Sequence, residues 1–501
     1  MTLRRLRRMG NPRQILGRLC RLRSFPEVFD GLARTFRSLT LPLPITRVTL
    51  LPPCLSDLPT PRPRPCDSPV TSLKVHIAFE RSGKWPDSLP ALMKLKPAFY
   101  LAIMKQLSHK PKSEVQHFRA FSDHLLVAKD GFVFRVTAVP PNEVALRQRT
   151  VVLPGGVIHR YPTASSKAYH RETVLIPRIA SALERSVTEN KAAIQTEAAG
   201  LSLVDHWLSS QFLSPPFSPP LFSLLYASLF LRPSHKEGAV NHPPPGSPPA
   251  AFFRFLHLLQ ATDFHQTPII LNFNDELTED GVLDLEAALL TKMTSGRTSL
   301  PPIVLATPWD TSGDVWSRSG AGGPSKMMLN RAQAVSRAAV RSLAAVPPST
   351  KRTLALFRAD LSPYDLVLHV GLTTLCSSAM RELQRQHISQ FPFLVDVDPA
   401  EELFDFLKAT LVDVAMVLRR SRATFTGKSS SSESYVIAIM WRPDAFTRRF
   451  PYNSKTSTLR PGFILEELDG KWSTRLSRDA ILTWIQTFGK GLIQHTAVKE
   501  K

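Results

Sequence analysis

Two carboxylates one residue apart, Asp396 and Asp398, are the sharpest catalytic candidate in this 501-residue chain. On a strand, residues i and i+2 point to one face, so such a pair can share metal ions as phosphoryl-transfer enzymes do. The same stretch also spells a helix start, with Asp398 as N-cap, Pro399 at the first helical position and Glu401 as the capping-box acid. That second reading needs no further residues. A nucleotidyl-transfer site would require a Gly-Ser turn upstream and a third acid on a neighbouring strand, and the strand expected at Tyr435 to Trp441 carries none. The run GAGGPSK at 320–326 lacks the spacing of a phosphate loop, and Pro324 removes an amide that would cradle phosphate. It reads as a loop capping the next helix. The 14 histidines never fall into a metal-ligand spacing, and no G-x-S-x-G elbow occurs, so the residues imply neither metal nor cofactor.

A different chemistry is written at 441–460, WRPDAFTRRFPYNSKTSTLR, where five basic side chains and one acid interleave with aromatics. Arg and Lys neutralise phosphates while exposed rings stack on unpaired bases, which suits single-stranded RNA. Trp441, Arg442, Arg448, Arg449 and Lys455 are the candidates there, and Lys84 with Trp85, and Lys129 with Arg135, form similar, smaller groupings. The competing reading is that Trp441 ends a core strand and a solvated loop follows.

Charge agrees with a polyanionic partner. The formal net charge is +22 and the pI about 10.2. The excess is concentrated in residues 1–150, with 26 basic against 10 acidic side chains. The first 23 residues hold eight Arg and no acid. Three readings of them stay open: a mitochondrial transit peptide, a basic nuclear or nucleolar address with an RNA-binding arm, and an accidental start inside a longer gene. Four scattered Cys exclude a disulfide framework, and no apolar run reaches the ~18–20 residues of a membrane-spanning helix.

The elements that must carry these residues follow from periodicity and from 43 prolines. Helix is expected over Phe25 to Leu39, strand over Ile45 to Leu51, and loop through the seven prolines of 52–69. A strand at Leu73 to Phe79 precedes a helix bearing Leu92, Leu95, Phe99, Ile103 and Leu107, then a hairpin of His124 to Ala128 and Phe132 to Val139. The middle reads as mainly helical (171–213, 221–231, from Ala251, and Lys326 to Ala345), with β-like runs at Pro268 to Phe273 and Pro302 to Ala306. The last third predicts strands Thr353 to Phe357 and Asp365 to Val370, a helix Pro399 to Leu418, a flexible loop at 421–434, a strand Tyr435 to Trp441 and a terminal helix Arg478 to His495.

Six stretches then carry a resemblance: VHIAFERSGKWPDSL at 75–89, KDGFVFRV at 129–136, PIILNFNDELT at 268–278, FRADLSPYDLVLHV at 357–370, FPFLVDVDPAEELFDFL at 391–407 and VIAIMWRPDAF at 436–446. In this order they resemble the Nrap family of nucleolar RNA-associated proteins, from about residue 20 to the C-terminus and over roughly the C-terminal half of a member. The resemblance implies an α+β chain of tandem modules: a basic extension (1–24), a nucleotidyltransferase-like α/β unit (25–195, domain 4-like), a helical poly(A)-polymerase/oligoadenylate-synthetase-like unit (196–350, domain 5-like) and a terminal α+β domain (351–501, domain 6-like). It also implies a pseudo-enzyme without the acidic triad, with no cofactor and no membrane. The implied setting is the small-subunit processome of the nucleolus, with pre-ribosomal RNA, casein kinase 2 and U3 small nucleolar ribonucleoprotein components as neighbours. Alternatives are an active metal-dependent RNA nucleotidyltransferase using Asp396 and Asp398, and a mitochondrial RNA-associated protein. Where the family has a basic pair before a helical tryptophan, this chain has Asp205 and His206 before Trp207.

Overall fold

The computed structural model describes residues 25–51, 72–110, 115, 117–130, 132–152, 156, 158–188, 191–214, 216–231, 244–295, 300–317, 323–344, 355–370, 395–396, 398–420, 435–451, 462–468 and 471–499. The Arg-rich first 23 residues, the proline run, the 421–434 loop and Lys455 lie outside them.

The first unit is a mixed five-stranded sheet with both long helices on one face. Helix α1 (Phe25–Arg37) leads into β1 (Ile45–Leu51) and β2 (Leu73–Phe79), then α2 (Leu89–Ser108), β3 (His117–Ala120), β4 (Leu125–Lys129) and β5 (Phe132–Val139). Strand order is β1-β2-β5-β4-β3, with β2 and β5 parallel and the other pairs antiparallel. Strand alternation puts Val75, Ile77, Phe79, Leu125, Val127, Phe134, Val136 and Ala138 on the core face. Against them α1 presents Val28, Leu32 and Phe36, spaced four apart, and α2 presents Leu92, Phe99, Ile103 and Leu107. The buried Tyr100 hydroxyl accepts from the Ala138 amide (2.9 Å) and donates to the Asp123 carbonyl (2.8 Å), so its polar tip is satisfied.

The chain continues through α3 (Glu143–Leu146), the hairpin β6 (Arg149–Val152) and β7 (Ile158–Tyr161), and α4 (Ala164–His170). A π-helical turn at Arg171–Leu175 then precedes α5 (Ile176–Thr188), α6 (Lys191–Ser210), α7 (Pro219–Ala227) and α8 (Pro248–Ala261). The two β-like runs of the middle pair in parallel as β8 (Ile269–Ile270) and β9 (Leu305–Ala306), on either side of α9 (Glu279–Thr294), and α10 (Lys326–Ala344) closes the helical unit. Trp207, Phe255 and Trp316 sit in its core. Helix α6 packs closely on α7 and α8 at Gly200, where a Cβ would lie 2.0 Å from the Tyr226 hydroxyl of α7 and 3.2 Å from the Ala251 Cβ of α8, so a larger residue would force Tyr226 to move.

The last unit corrects four expectations. The described part of 353–357 is a helical turn, not a strand. The helix from Pro399 stops at Thr410 as α11 (Pro399–Thr410), and 415–420 leaves it to become β11 (Ala415–Arg420). That strand's Val417 and Leu418 point to opposite faces of a four-stranded sheet formed with β10 (Leu366–Val370), β12 (Tyr435–Trp441) and β16 (Ile493–Val498), in the order β11-β12-β10-β16. The segment after Trp441, expected as loop, is instead α12 (Pro443–Thr447) and β13 (Arg449–Pro451), which joins β14 (Phe463–Leu468) and β15 (Lys471–Leu476) in a second sheet. The terminal helix α13 (Arg478–Phe488) ends at Gly489, and Gly491, at φ +89°, turns the chain back as β16 (Ile493–Val498) onto β10.

Both faces of this four-stranded sheet are buried. Leu366, Leu368, Tyr435, Ile437 and Ile439 face α11 and α13, whereas Val367, Leu418, Val436 and Ala438 join the helical unit's core. The second and third units therefore share one hydrophobic interior.

Candidate nucleic-acid interface

Asp396 and Asp398 serve different partners. Asp398 caps α11, accepting from the Ala400 amide at 3.0 Å, with Pro399 at the first position as expected. Glu401 does not complete the capping box. Its carboxylate binds Arg419 on β11 and accepts from the Tyr435 hydroxyl on β12 (2.8 Å), tying the helix to the sheet. Asp396 reaches instead into the first unit, accepting from the Ser72 amide (2.7 Å) and the Ser72 hydroxyl, with Arg135 3.8 Å away. Beside it Val395 packs on Leu126, Ala128 and Val133, the reverse face of the β4–β5 hairpin. Asp396 thus links the last unit to the first, whereas Asp398 serves its own helix. Asp398→Ala is expected to lower thermal stability by about 1 kcal/mol; a melting curve superimposable on wild type would remove the capping role.

The glycine-rich run behaves as a cap over its described residues. Ser325 begins α10 by accepting from the Met328 amide (3.3 Å), and Gly323 lies so close to the Ser317 carbonyl that a Cβ would overlap it. Residues 320–322 lie outside the description.

Two of the proposed RNA contacts are interior. Trp85 is 5% exposed, stacked on Phe99 (5.6 Å) and edge-on to Phe79, with its indole N–H donated to the Glu80 carbonyl (3.0 Å); no ring face is open to a base. Lys129 is 3% exposed because it sits on the core side of β4, its ammonium under Gly31 of α1. Arg135 is paired with Asp123 at 3.1 Å. Lys84 is exposed on the turn after β2.

In the last unit Trp441 is half-buried. Its amide donates to Asp365 (2.8 Å) and its ring meets Phe446 edge-on, while Arg478 covers the Phe446 face. Arg442 and Arg448 are exposed. Arg449 and Arg475 face each other across β13 and β15 and converge on Glu466, at 3.7 and 2.6 Å. On the opposite face of β15, Trp472 is 52% exposed.

Three family models match in sequence order: the Nrap protein nucleotidyltransferase domain 4 at residues 21–188, the Nrap protein PAP/OAS1-like domain 5 at 198–359 and Nrap protein domain 6 at 361–496. The chain belongs to the Nrap family. It is 28% identical over 458 residues to nucleolar protein 6 of Mus musculus, covering 87% of this chain and 36% of that protein. To the Xenopus tropicalis protein of that name it is 27% identical, covering 93% and 41% respectively. It thus spans well under half the length of these relatives. Among solved structures, a cytoplasmic RNA terminal U-transferase is similar at 13% identity and a TM-score of 0.36, over 67% of this chain and 92% of that one.

Within the Nrap domain 4 match, the fold gathers basic side chains that sequence reading did not single out. The C-terminal ends of α1 and α2 meet through Thr40, whose amide donates to Gln106 Oε1 (2.8 Å) while its carbonyl accepts from Gln106 Nε2. Lys110 Nζ reaches Ser38 Oγ at 3.4 Å. Exposed Arg34, Arg37 and Lys105 project from this junction, with no acidic partner among the described residues. Cations at helix C-termini are favoured by the helix dipole, so local stability and an outward positive field are served by the same placement. The signal was present in the charge excess of residues 1–150 and in the phase of Arg34 and Arg37 opposite Val28, Leu32 and Phe36. What sequence lacked was the convergence of two helix ends, at Arg37 and Ser108, that are remote in the chain. Trp207 is fully buried and belongs to the core.

Proposed function

We propose that this chain is a non-catalytic, RNA-associated scaffold of the nucleolus, acting in early pre-ribosomal RNA processing within the small-subunit processome. The observation that carries this reading is the ordered match to three Nrap domain models over nearly the whole chain, together with relatives named nucleolar protein 6. Two features of the geometry support it. The carboxylates Asp396 and Asp398 are already engaged in inter-unit and capping bonds, and the α1–α2 junction offers exposed cations, with no acidic partner among the described residues, to a phosphate backbone. Binding then proceeds through phosphate neutralisation, and no bond is broken.

Crosslinking the tagged chain to RNA in cells tests the reading. Reads concentrated in pre-ribosomal RNA or its guide RNA are expected; reads from mitochondrial transcripts, or none at all, would overturn it. The interface itself is tested on purified protein. Arg37→Ala with Lys105→Ala is expected to weaken oligouridylate binding several-fold and to flatten its salt dependence by about 0.7 in log–log slope for each phosphate no longer neutralised. Arg448→Ala with Arg449→Ala tests the last unit's loop in the same way, and whichever pair leaves the slope unchanged does not neutralise phosphate.

A further inference from the structure

The surface of the last unit carries a feature that RNA binding does not explain. Helices α11 and α13 bury Leu403, Phe404, Leu407, Ile481 and Ile485 against the sheet, yet each also presents aromatic residues outward. Phe406 is 38% exposed and Phe488 52%, their rings stacked with centroids 4.2 Å apart, and half-buried Trp484 lies 5.8 Å from Phe406. Three neighbouring aromatics on two helices form a contiguous apolar platform, unlike scattered single exposures.

The rim decides what the platform suits. On α11, Glu402 stands one helical turn before Phe406 with Asp405 beside it, Asp413 follows in the turn after the helix, and all three acids are exposed. Among the described residues none of the three forms an ion pair, and Lys408, on the other side of the helix, lies over Phe404. The basic residue that follows the platform on α13's side is Lys490, after the helix end. A base-stacking platform for RNA is flanked by Arg and Lys that hold the phosphates. Here the exposed acids share the helix and the turn after it with Phe406, and their charge repels phosphate. The same carboxylates, with the negative faces of three aromatic rings, attract guanidinium and ammonium groups carried on apolar stems.

We infer that the α11–α13 face is a docking surface for a basic, aliphatic-rich segment of a partner protein. Charge complementarity selects this occupant: an otherwise strongly cationic chain places three carboxylates on the α11 side of its exposed aromatic cluster. This face is independent of the RNA-scaffold reading, because it is a different surface and takes a different class of ligand.

The test uses the full chain, a short fluorescent synthetic peptide of Arg and Leu, a Glu and Leu counterpart, and oligouridylate. The Arg-Leu peptide is expected to bind in a salt-sensitive manner and the Glu-Leu peptide not to bind. Phe406→Ser with Phe488→Ser, and separately Glu402→Lys with Asp405→Lys, should each weaken the Arg-Leu peptide about tenfold or more while leaving the circular dichroism melt in place. Oligouridylate affinity should be unaffected by the aromatic pair. Equal peptide binding by wild type and both variants overturns the inference, as does loss of oligouridylate binding in the aromatic variant, which would make the face an RNA platform.

Discussion

Replacing Glu143 by alanine is expected to destabilise the first unit by about 3–5 kcal/mol, the range observed when one member of a buried charge pair is removed. Glu143 is fully buried at the start of α3 and is the only acid among four converging side chains. Lys96 of α2 meets its Oε2 at 2.7 Å, Arg147 its Oε1 at 2.6 Å, and the Tyr169 hydroxyl of α4 donates to Oε2 at 2.6 Å. Both cations also lie over the Tyr169 ring. Burial pulls the Lys96 ammonium below the ordinary lysine range, and Glu143 is what pulls it back. Burial, reinforced by Glu143, pushes the Tyr169 phenol well above its usual range. Without the carboxylate, a buried ammonium is left facing a half-buried guanidinium with no counter-charge in the cluster. Lys96→Met added to Glu143→Ala should recover most of the stability, because the uncompensated buried charge, more than the missing hydrogen bonds, is what costs. Hydrogen exchange of β2 and β5 peptides in a urea series isolates this unit from the others. A change below about 1 kcal/mol would show that the cluster does not hold α2, α3 and α4 together.

Acidification from pH 7.5 to 5 is expected to cost the same unit about 2 kcal/mol through His76 alone. His76 lies on β2, is 7% exposed, and its Nδ1 has no hydrogen-bond partner among the described residues. Burial lowers its pKa to about 4; Glu172 opposes that shift, and Lys74 and Lys96 add to it. In the unfolded chain an imidazole takes up its proton near pH 6.5. The neutral, buried form therefore contributes its stability fully above pH 6.5, and the contribution is lost progressively as pH falls from 6.5 towards 4. His76→Leu should flatten the dependence over that window. An unchanged pH profile in the variant would assign the acid sensitivity to another group, since burial also lowers His124 and His170.

Local spacing is sufficient for most elements near the core. Helix α2 follows from its apolar period in spite of Pro97, and the β4–β5 hairpin from the Asp130-Gly131 turn signal between two apolar, β-branched runs. The cap at Asp398 is an equally local device, since its partner amide is two residues away. Where local pattern and structure part, a long-range partner wins. Residues 415–420 continue an apolar pattern from α11 that suits a helix, but the edge of β12 offers a full ladder of hydrogen bonds and two buried faces. Residues after Gly489 suit a continued helix by the same local pattern, and β10 claims them as strand.

The amino-acid sequence by itself determined the family, the three-module order and the excess of positive charge, because ordered motifs, periodicity and composition are properties of the chain alone. Tertiary structure decided which residues are available for function. Lys129 and Trp85 have the right chemistry for RNA and are enclosed by α1 and by Phe79 and Phe99, whereas Arg37 and Lys105, unremarkable in sequence, are brought to one exposed junction. Asp396 became an inter-unit bond only because Ser72, 324 positions earlier, lies at the start of β2 facing it. Exposure and partnership are set by contacts between residues remote in sequence, which local spacing does not encode.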